Sequence, residues 1–194
     1  MLKDENTRLR VLAEHDWLTG LYNRRAAEAH VDEALLKNGG GMLLVLDIDH
    51  FKQVNDRYGH LIGDALLCEA ARTLRDIFFP RDIIGRVGGD EFMVFLKGIS
   101  TEENILKEAA KVETFFKGFQ AGEYVKYKAT ASIGVAIYPQ EGADFETLYK
   151  AADQGLYKAK KRGKNQLAFY RERTPEGADP DAVTEASAEN KAQS

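Results

Sequence analysis

Two pairs of carboxylates stand out by their surroundings. One sits in IIGRVGGDEFMVFL, from Ile83 to Leu96, where apolar runs flank Gly88, Gly89, Asp90 and Glu91. The flanks read as strands and the glycines as the turn of a hairpin between them. The other pair ends the apolar run Met42 to Asp47, which continues as Ile48-Asp49. Strand alternation puts Asp47 and Asp49 on one face. Carboxylates at the end of a buried strand are costly unless something neutralises them. A divalent cation would do so, and Mg²⁺ prefers one or two carboxylates with phosphate oxygens and water. Asp47 with Asp90 or Glu91 makes such a pair if the hairpin lies beside the strand. Glycines at 88 and 89 let a large ligand approach the backbone. Lys52 follows the first acids, and Lys160, Lys161, Arg162 and Lys164 cluster farther along, where they also suit a helix C-terminus. Acids, bare backbone and lysines together are the parts of a nucleoside triphosphate site. The competing reading is two solvated loops carrying unrelated acids.

These segments need a frame. The spacing predicts a helix over 25–36, stopped by Asn38-Gly39-Gly40-Gly41. It predicts a buried central strand over 42–47 and a helix carrying Ile62, Leu66, Ala70, Leu74 and Ile77. After the hairpin, Ser100 and Glu103 suggest a capping box for a helix bearing Ile105, Ala109, Val112 and Phe116. Ala129 to Tyr138 is strand-like, Phe145, Leu148, Ala152 and Leu156 mark a last long helix, and Gln166 to Tyr170 reads as a final strand. The order αβαββαβαβ implies an α/β (α+β) sandwich with a mixed central sheet flanked by helices, since the hairpin makes at least one pair antiparallel.

The 194 residues suit one domain with extensions, and a 44% hydrophobic composition supplies a core. No apolar run approaches the length that spans a membrane, and the charged start MLKDENTRLR is unlike a secretory signal. The single cysteine, Cys68, reads as a buried structural thiol and fits a reducing, cytoplasmic setting. Residues 172–194 carry six acids against two bases, while the remaining 25 acids and 25 bases cancel. The formal charge of −4 therefore belongs to the tail, which reads as disordered. The body shows no basic excess of the kind nucleic-acid binding needs. Residues 1–15 read as helical, with Leu2, Leu9 and Leu12 on one side.

Six blocks in order carry a resemblance: DWLTGLYNRR (Asp16 to Arg25), DIDHFKQVND (Asp47 to Asp56), GHLIGD (Gly59 to Asp64), RVGGDEF (Arg86 to Phe92), SIGVA (Ser132 to Ala136) and ADQGLYKAKKRGKN (Ala152 to Asn165). Over 16–171 the chain resembles the GGDEF domain of bacterial diguanylate cyclases. The resemblance implies a fold like the nucleotidyl-cyclase and polymerase palm. It also implies Mg²⁺-dependent, or Mn²⁺-dependent, condensation of two GTP into cyclic di-GMP and two pyrophosphates across a homodimer. By that resemblance Asp47 and the Ile48 carbonyl are metal ligands. Asp90 is a metal ligand and proton acceptor, and Glu91 is a further acid close to the metals. Asn55 and Asp64 would read guanine, whose N1–H and N2–H₂ donate while O6 accepts, and His60 belongs to the same pocket. Phe51 and Lys52 match positions near the triphosphate, Gly88 and Gly89 match the turn against which it lies, and Lys160 and Lys164 match outer phosphate contacts. Asp16, Asn23 and Arg24 read as scaffolding.

The chain departs from the family in two places. Most members have Arg where Lys164 stands, so charge is kept and the bidentate fork is lost. Many carry an inhibitory product site, Arg-x-x-Asp, which here reads Phe79-Pro80-Arg81-Asp82. Asp82 remains but the arginine does not, so feedback inhibition is expected to be weak. Family members are usually driven by an N-terminal input module, and residues 1–15 would be the end of its connecting helix. Without such a module a largely monomeric, slow enzyme is expected. Two other readings compete with an active cyclase: a non-catalytic GTP- or cyclic-dinucleotide-binding regulatory module, and a cyclase that accepts ATP. Asp64 argues against the last, because a carboxylate does not suit adenine N1.

Overall fold

The computed structural model describes residues 9, 11–37, 39–78, 81–119, 127 and 129–172, with backbone alone for 113–119. Expectations about Leu2, Phe79, Pro80, the Phe116 side chain and the tail beyond 172 lie outside these residues. The strands are β1 (Tyr22–Asn23), β2 (Gly41–Asp49), β3 (Ile83–Arg86), β4 (Glu91–Lys97), β5 (Thr130–Tyr138) and β6 (Leu167–Phe169). The helices are α1 (Arg24–Lys37), α2 (Phe51–Tyr58), α3 (His60–Ile77), α4 (Glu102–Phe119) and α5 (Phe145–Lys161). One mixed sheet runs β1-β3-β4-β2-β5-β6. Its two outer pairs, β1–β3 and β5–β6, are parallel and the inner pairs are antiparallel.

β2 is buried on both faces, which is why its sequence is apolar without alternation. Leu44, Leu46 and Ile48 pack with α3 and α4 through Leu66, Leu67, Ala70, Leu74, Ile105 and Val112. Leu43 and Val45 join a second core with Ala27, Val31 and Leu35 of α1 and Leu148, Ala152 and Leu156 of α5. Each fully buried Leu, Ile or Val side chain stabilises the fold by about 1.5–3 kcal/mol. Phe92, the first residue after the hairpin acids, is also fully buried and anchors β4 in the first core.

The structure adds β1 and α2 to the predicted order. His50 takes a left-handed conformation before α2, and Gly59, at φ 86°, separates α2 from α3. Two expectations are corrected. The cap of α4 is Thr101, not Ser100: its Oγ1 accepts from the Asn104 amide at 3.3 Å, and Glu102 opens the helix. Cys68 is exposed, not buried. The buried stripe of α3 runs through Gly63, Leu66, Leu67, Ala70, Ala71 and Leu74, so position 68 falls off its edge. No described helix is long and apolar enough to cross a membrane.

α5 lies directly on the backbone of β5. A Cβ on Gly134 would stand 2.0 Å from the Ala152 carbonyl oxygen and 2.1 Å from the Leu156 amide nitrogen. A Cβ on Gly155 would stand 2.7 Å from the Ala168 carbonyl oxygen. Backbone cannot yield as a side chain tip can, so this crossing sets where the C-terminal end of α5 and Lys160 come to rest. Gly134→Ala should therefore cost about 3 kcal/mol or more in urea unfolding. Gly39→Ala, whose Cβ meets nothing within 4 Å, should stay within about 1 kcal/mol of the parent.

Candidate functional site

The β2–β4 register places Asp47 opposite Glu91. The turn before β4 is fastened to the same strand, since the Ile48 amide donates to the Asp90 carbonyl at 3.2 Å. Segments more than forty positions apart in the chain thus meet at the end of the central strand, with Asp47, Asp90 and Glu91 all half-buried. Burial pushes the Asp47 carboxyl above its usual range; Lys160 opposes the shift, and Asp90 and Asp49 reinforce it. Glu91 is also raised, by burial first and then by the charges of Asp47 and Asp90. Lys160 Nζ lies 2.8 Å from Asp47 Oδ2, so the α5 ammonium pairs with a strand carboxylate.

Asp49, on the same strand face, is settled differently. It is 1% exposed and accepts from Thr130 Oγ1 and Ser132 Oγ, both at 2.7 Å, and from the Asn165 amide at 3.0 Å. These hydrogen bonds stabilise its carboxylate and tie β2 to β5 and to the loop after α5. Asp49 is a structural acid, so of the two strand-end acids Asp47 alone is left to pair with Asp90 and Glu91 as expected for a cation site.

The two turn glycines do different work. A Cβ on Gly89 would meet nothing within 4 Å, whereas one on Gly88 would press to 2.6 Å of Glu91 Oε2. Gly88 leaves room for the glutamate, and Gly89 presents bare, exposed backbone. Neither uses a positive φ. Arg86 closes the turn from behind: Nε and Nη2 donate to the Gly89 carbonyl at 3.2 and 2.6 Å, and Nη1 reaches Asp16 Oδ1 at 3.1 Å.

The residues matched to the nucleoside lie on α2 and α3. Asn55 Oδ1 is buried without a hydrogen-bond partner among the described residues. It sits 1.9 Å from where a Gly63 Cβ would be, and Phe51 Cζ is 3.1 Å from the same point. Gly63 therefore admits the amide, whose acceptor is buried beside it, and Asp64 in the next position is half-buried. Phe51 packs partly on the core. Lys52 and His60 are exposed in the first turns of α2 and α3. Lys164, at φ 64°, places Nζ 3.5 Å from His50 Nε2, between the end of α5 and the start of α2. Asp82 lies away from the acids, in a cleft of about 330 Å³ with His15, Tyr22, Arg75 and Phe78.

Sequence reasoning gave no role to Tyr149 or Asp153 and read Arg24 as scaffolding. The Tyr149 hydroxyl is pushed up to about 12, by burial first and then by the charge of Glu91. The Arg24 guanidinium lies 5.5 Å from the Tyr149 ring centre. Asp153 adds to the upward shift of Glu91. Tyr149, Asp153 and Lys160 share one face of α5 by helical spacing, which was a readable signal. Among the described residues no group of three or more His, Cys, Asp or Glu side chains could hold a metal ion. The side chains of one or two carboxylates, completed by substrate oxygens and water, are what Mg²⁺ takes.

The family described as diguanylate cyclase, GGDEF domain matches residues 13–166. A probable diguanylate cyclase, DgcC of Escherichia coli K12, is 34% identical over 85% of this chain and 45% of its own. The cyclic di-GMP phosphodiesterase PdeR of the same strain is 35% identical over 87% of this chain and 25% of its own. The chain thus spans less than half the length of these relatives. The crystal structure of the coiled coil and GGDEF domain of DgcB from Caulobacter crescentus, in complex with c-di-GMP, superposes with a TM-score of 0.75 at 26% identity, covering 87% of this chain and 91% of that one. With the mixed sheet, the acid-bearing hairpin turn and the matched span in agreement, the chain belongs to the GGDEF domain family.

Proposed function

We propose that this chain is a diguanylate cyclase domain that condenses two GTP into cyclic di-GMP and two pyrophosphates. The observation that carries the reading is the register of Asp47 against Glu91, with both carboxyls raised by burial first, and then by Asp90 and Asp49 at Asp47 and by Asp47 and Asp90 at Glu91. Such a cluster favours a cation. Asp47, the Ile48 carbonyl, Asp90 and Glu91 would hold Mg²⁺ or Mn²⁺, which supplies charge neutralisation at the phosphoryl oxygens.

Asp90 accepts the proton of a ribose 3′-hydroxyl. That oxygen bonds to the α-phosphorus of the second GTP as the bond to pyrophosphate breaks. Asn55 and Asp64 read the guanine edge, and the orphaned Asn55 acceptor supports this. His60 and Phe51 border the nucleotide; Gly89 leaves it room at the turn, and Gly88 makes room for Glu91 beside it. Lys52, Lys160 and Lys164 compensate phosphate charge, Lys160 leaving Asp47 to do so. Each domain holds one GTP, so two copies face each other, brought together by an input module outside these residues and working in the cytoplasm. A binding module without turnover is the alternative reading, and the intact acids of the turn weigh against it.

Incubation with GTP and Mg²⁺ should yield cyclic di-GMP on chromatography, and ATP should yield no cyclic product. Asp90→Ala and Glu91→Ala should each lower turnover about a hundredfold or more. Retained turnover in both would remove the site assignment. Raising cyclic di-GMP to low micromolar levels should leave the rate unchanged, because Phe79 replaces the arginine of the inhibitory motif; inhibition that disappears in Asp82→Ala would contradict this.

The raised carboxyls predict a stability signature. An acid with an elevated folded-state pKa costs stability as pH rises from its ordinary value through the folded one, and the full cost persists above it. Metal-free Glu91→Gln should therefore melt about 2 °C above the parent at pH 7, with the difference vanishing below about pH 4. Mg²⁺ should raise the melting point of the parent more than that of the variant. A variant that melts lower at pH 7 would show that the acids are not in mutual conflict.

A further inference from the structure

Arg86 does more than the hairpin needs. The β3–β4 ladder already pairs Arg86 with Phe92, and the Val87 amide donates to the Glu91 carbonyl at 2.9 Å. The guanidinium is spent on two other groups. Its Nε and Nη2 converge on the Gly89 carbonyl at 3.2 and 2.6 Å. Its Nη1 lies 3.1 and 3.3 Å from the two oxygens of Asp16. The pair is largely dry, at 13% side-chain exposure for Arg86 and 17% for Asp16. Gly89 is the residue before Asp90 and has no side chain that could hold it. The Asp90 carbonyl is held from the other side by the Ile48 amide.

Asp16 is itself fixed. Its Oδ1 accepts from the Thr19 amide at 2.9 Å and from Thr19 Oγ1 at 2.6 Å. Burial raises its carboxyl, but these bonds and Arg86 outweigh that and hold it below its usual range, so it stays charged. The Thr19 carbonyl takes a bond from Arg75 Nη2 at 2.6 Å, locking the loop to α3. Asn23, in register with Arg86, donates from Nδ2 to the Ala13 carbonyl at 2.7 Å. The helical residues 11–14 end at that carbonyl's next neighbour.

We propose that Arg86 is a positioning residue for the Asp90–Glu91 turn, clamping the Gly89 carbonyl from a base at Asp16 and so tying the turn to the loop that follows the N-terminal helical residues. The proposal rests on Asp90 and Glu91 being the metal and proton acids. A lysine keeps the charge but cannot present three donors in one plane to a carbonyl and a carboxylate. A substitution should loosen the acids without altering the α2–α3 nucleoside side.

The test uses the full 194-residue chain with Arg86→Lys, Arg86→Gln, Asp16→Asn and the Asp16→Asn/Arg86→Gln double variant. Amide hydrogen exchange over 87–91 should accelerate about tenfold or more in both Arg86 variants while β2 and β5 keep their protection. Mn²⁺ affinity without nucleotide, read by electron paramagnetic resonance, should fall about tenfold, the usual range for a group that orients metal ligands. With GTP, kcat should fall at least as far while KM stays within about threefold. Asp16→Asn should shift each readout in the same direction by less, and the double variant should match Arg86→Gln alone, since both sites act through one contact. Unchanged exchange at the turn in Arg86→Lys and Arg86→Gln overturns the proposal. So does acceleration spread evenly over the sheet, which would make Arg86 a fold residue only. A parent chain that makes no cyclic dinucleotide would overturn the cyclase reading instead, and exchange at the turn would still decide the role of Arg86.

Discussion

Charge buried at the end of the central strand is the constraint around which this domain is built. β2 enters the sheet as an uninterrupted apolar run and leaves it as Asp47-Ile48-Asp49. Carboxylates there have lost much of their water, and each must recover that free energy from a partner. The partners come from distant parts of the chain, and recruiting them fixes the geometry of the site.

Two acids two residues apart receive opposite treatments. Asp49 is given hydroxyl and amide donors until nothing further is required, and it joins β2, β5 and the α5 exit as a structural tie. Asp47 is set against Glu91; burial raises both carboxyls, the neighbouring acids Asp90 and Asp49 add to Asp47, and Asp47 and Asp90 add to Glu91, with one ammonium as relief. The first arrangement is a solved electrostatic problem. The second is left partly unsolved, and a group kept in conflict is suited to bind a cation and to take a proton. The backbone-to-backbone crossing of α5 on β5 delivers Lys160 to that conflict. Function and stability pull against each other here, as they do wherever a site keeps like charges together.

The side proposed to take the nucleoside also rests on an unsatisfied buried group. A glycine at 63 makes room for an amide at 55, leaving a buried acceptor without a partner among the described residues. Its free energy is recovered only when a donor arrives. Asn55 lies one turn into α2, past the left-handed entry at His50 that follows the acid-bearing end of β2.

The blocks around Asp47, Asn55, Asp64, Asp90 and Lys160 could be read from the chain because short motifs and apolar periodicity are local properties. The same is true of β2, α3, α5 and the hairpin. Boundaries that depend on one residue were less legible: the α4 cap moved from Ser100 to Thr101, and Cys68 turned outward, because a shift of one position on a helix changes the face by 100°. Long-range pairing was not legible at all. Residue types alone do not show that Asp49 has three donors while Asp47 has one ammonium, that Gly88 makes way for Glu91, or that Arg86 joins Asp16 to Gly89 across 70 positions. Those facts follow from strand register and from helix placement on the sheet. Both are set by how the whole core packs, and no segment carries that information by itself.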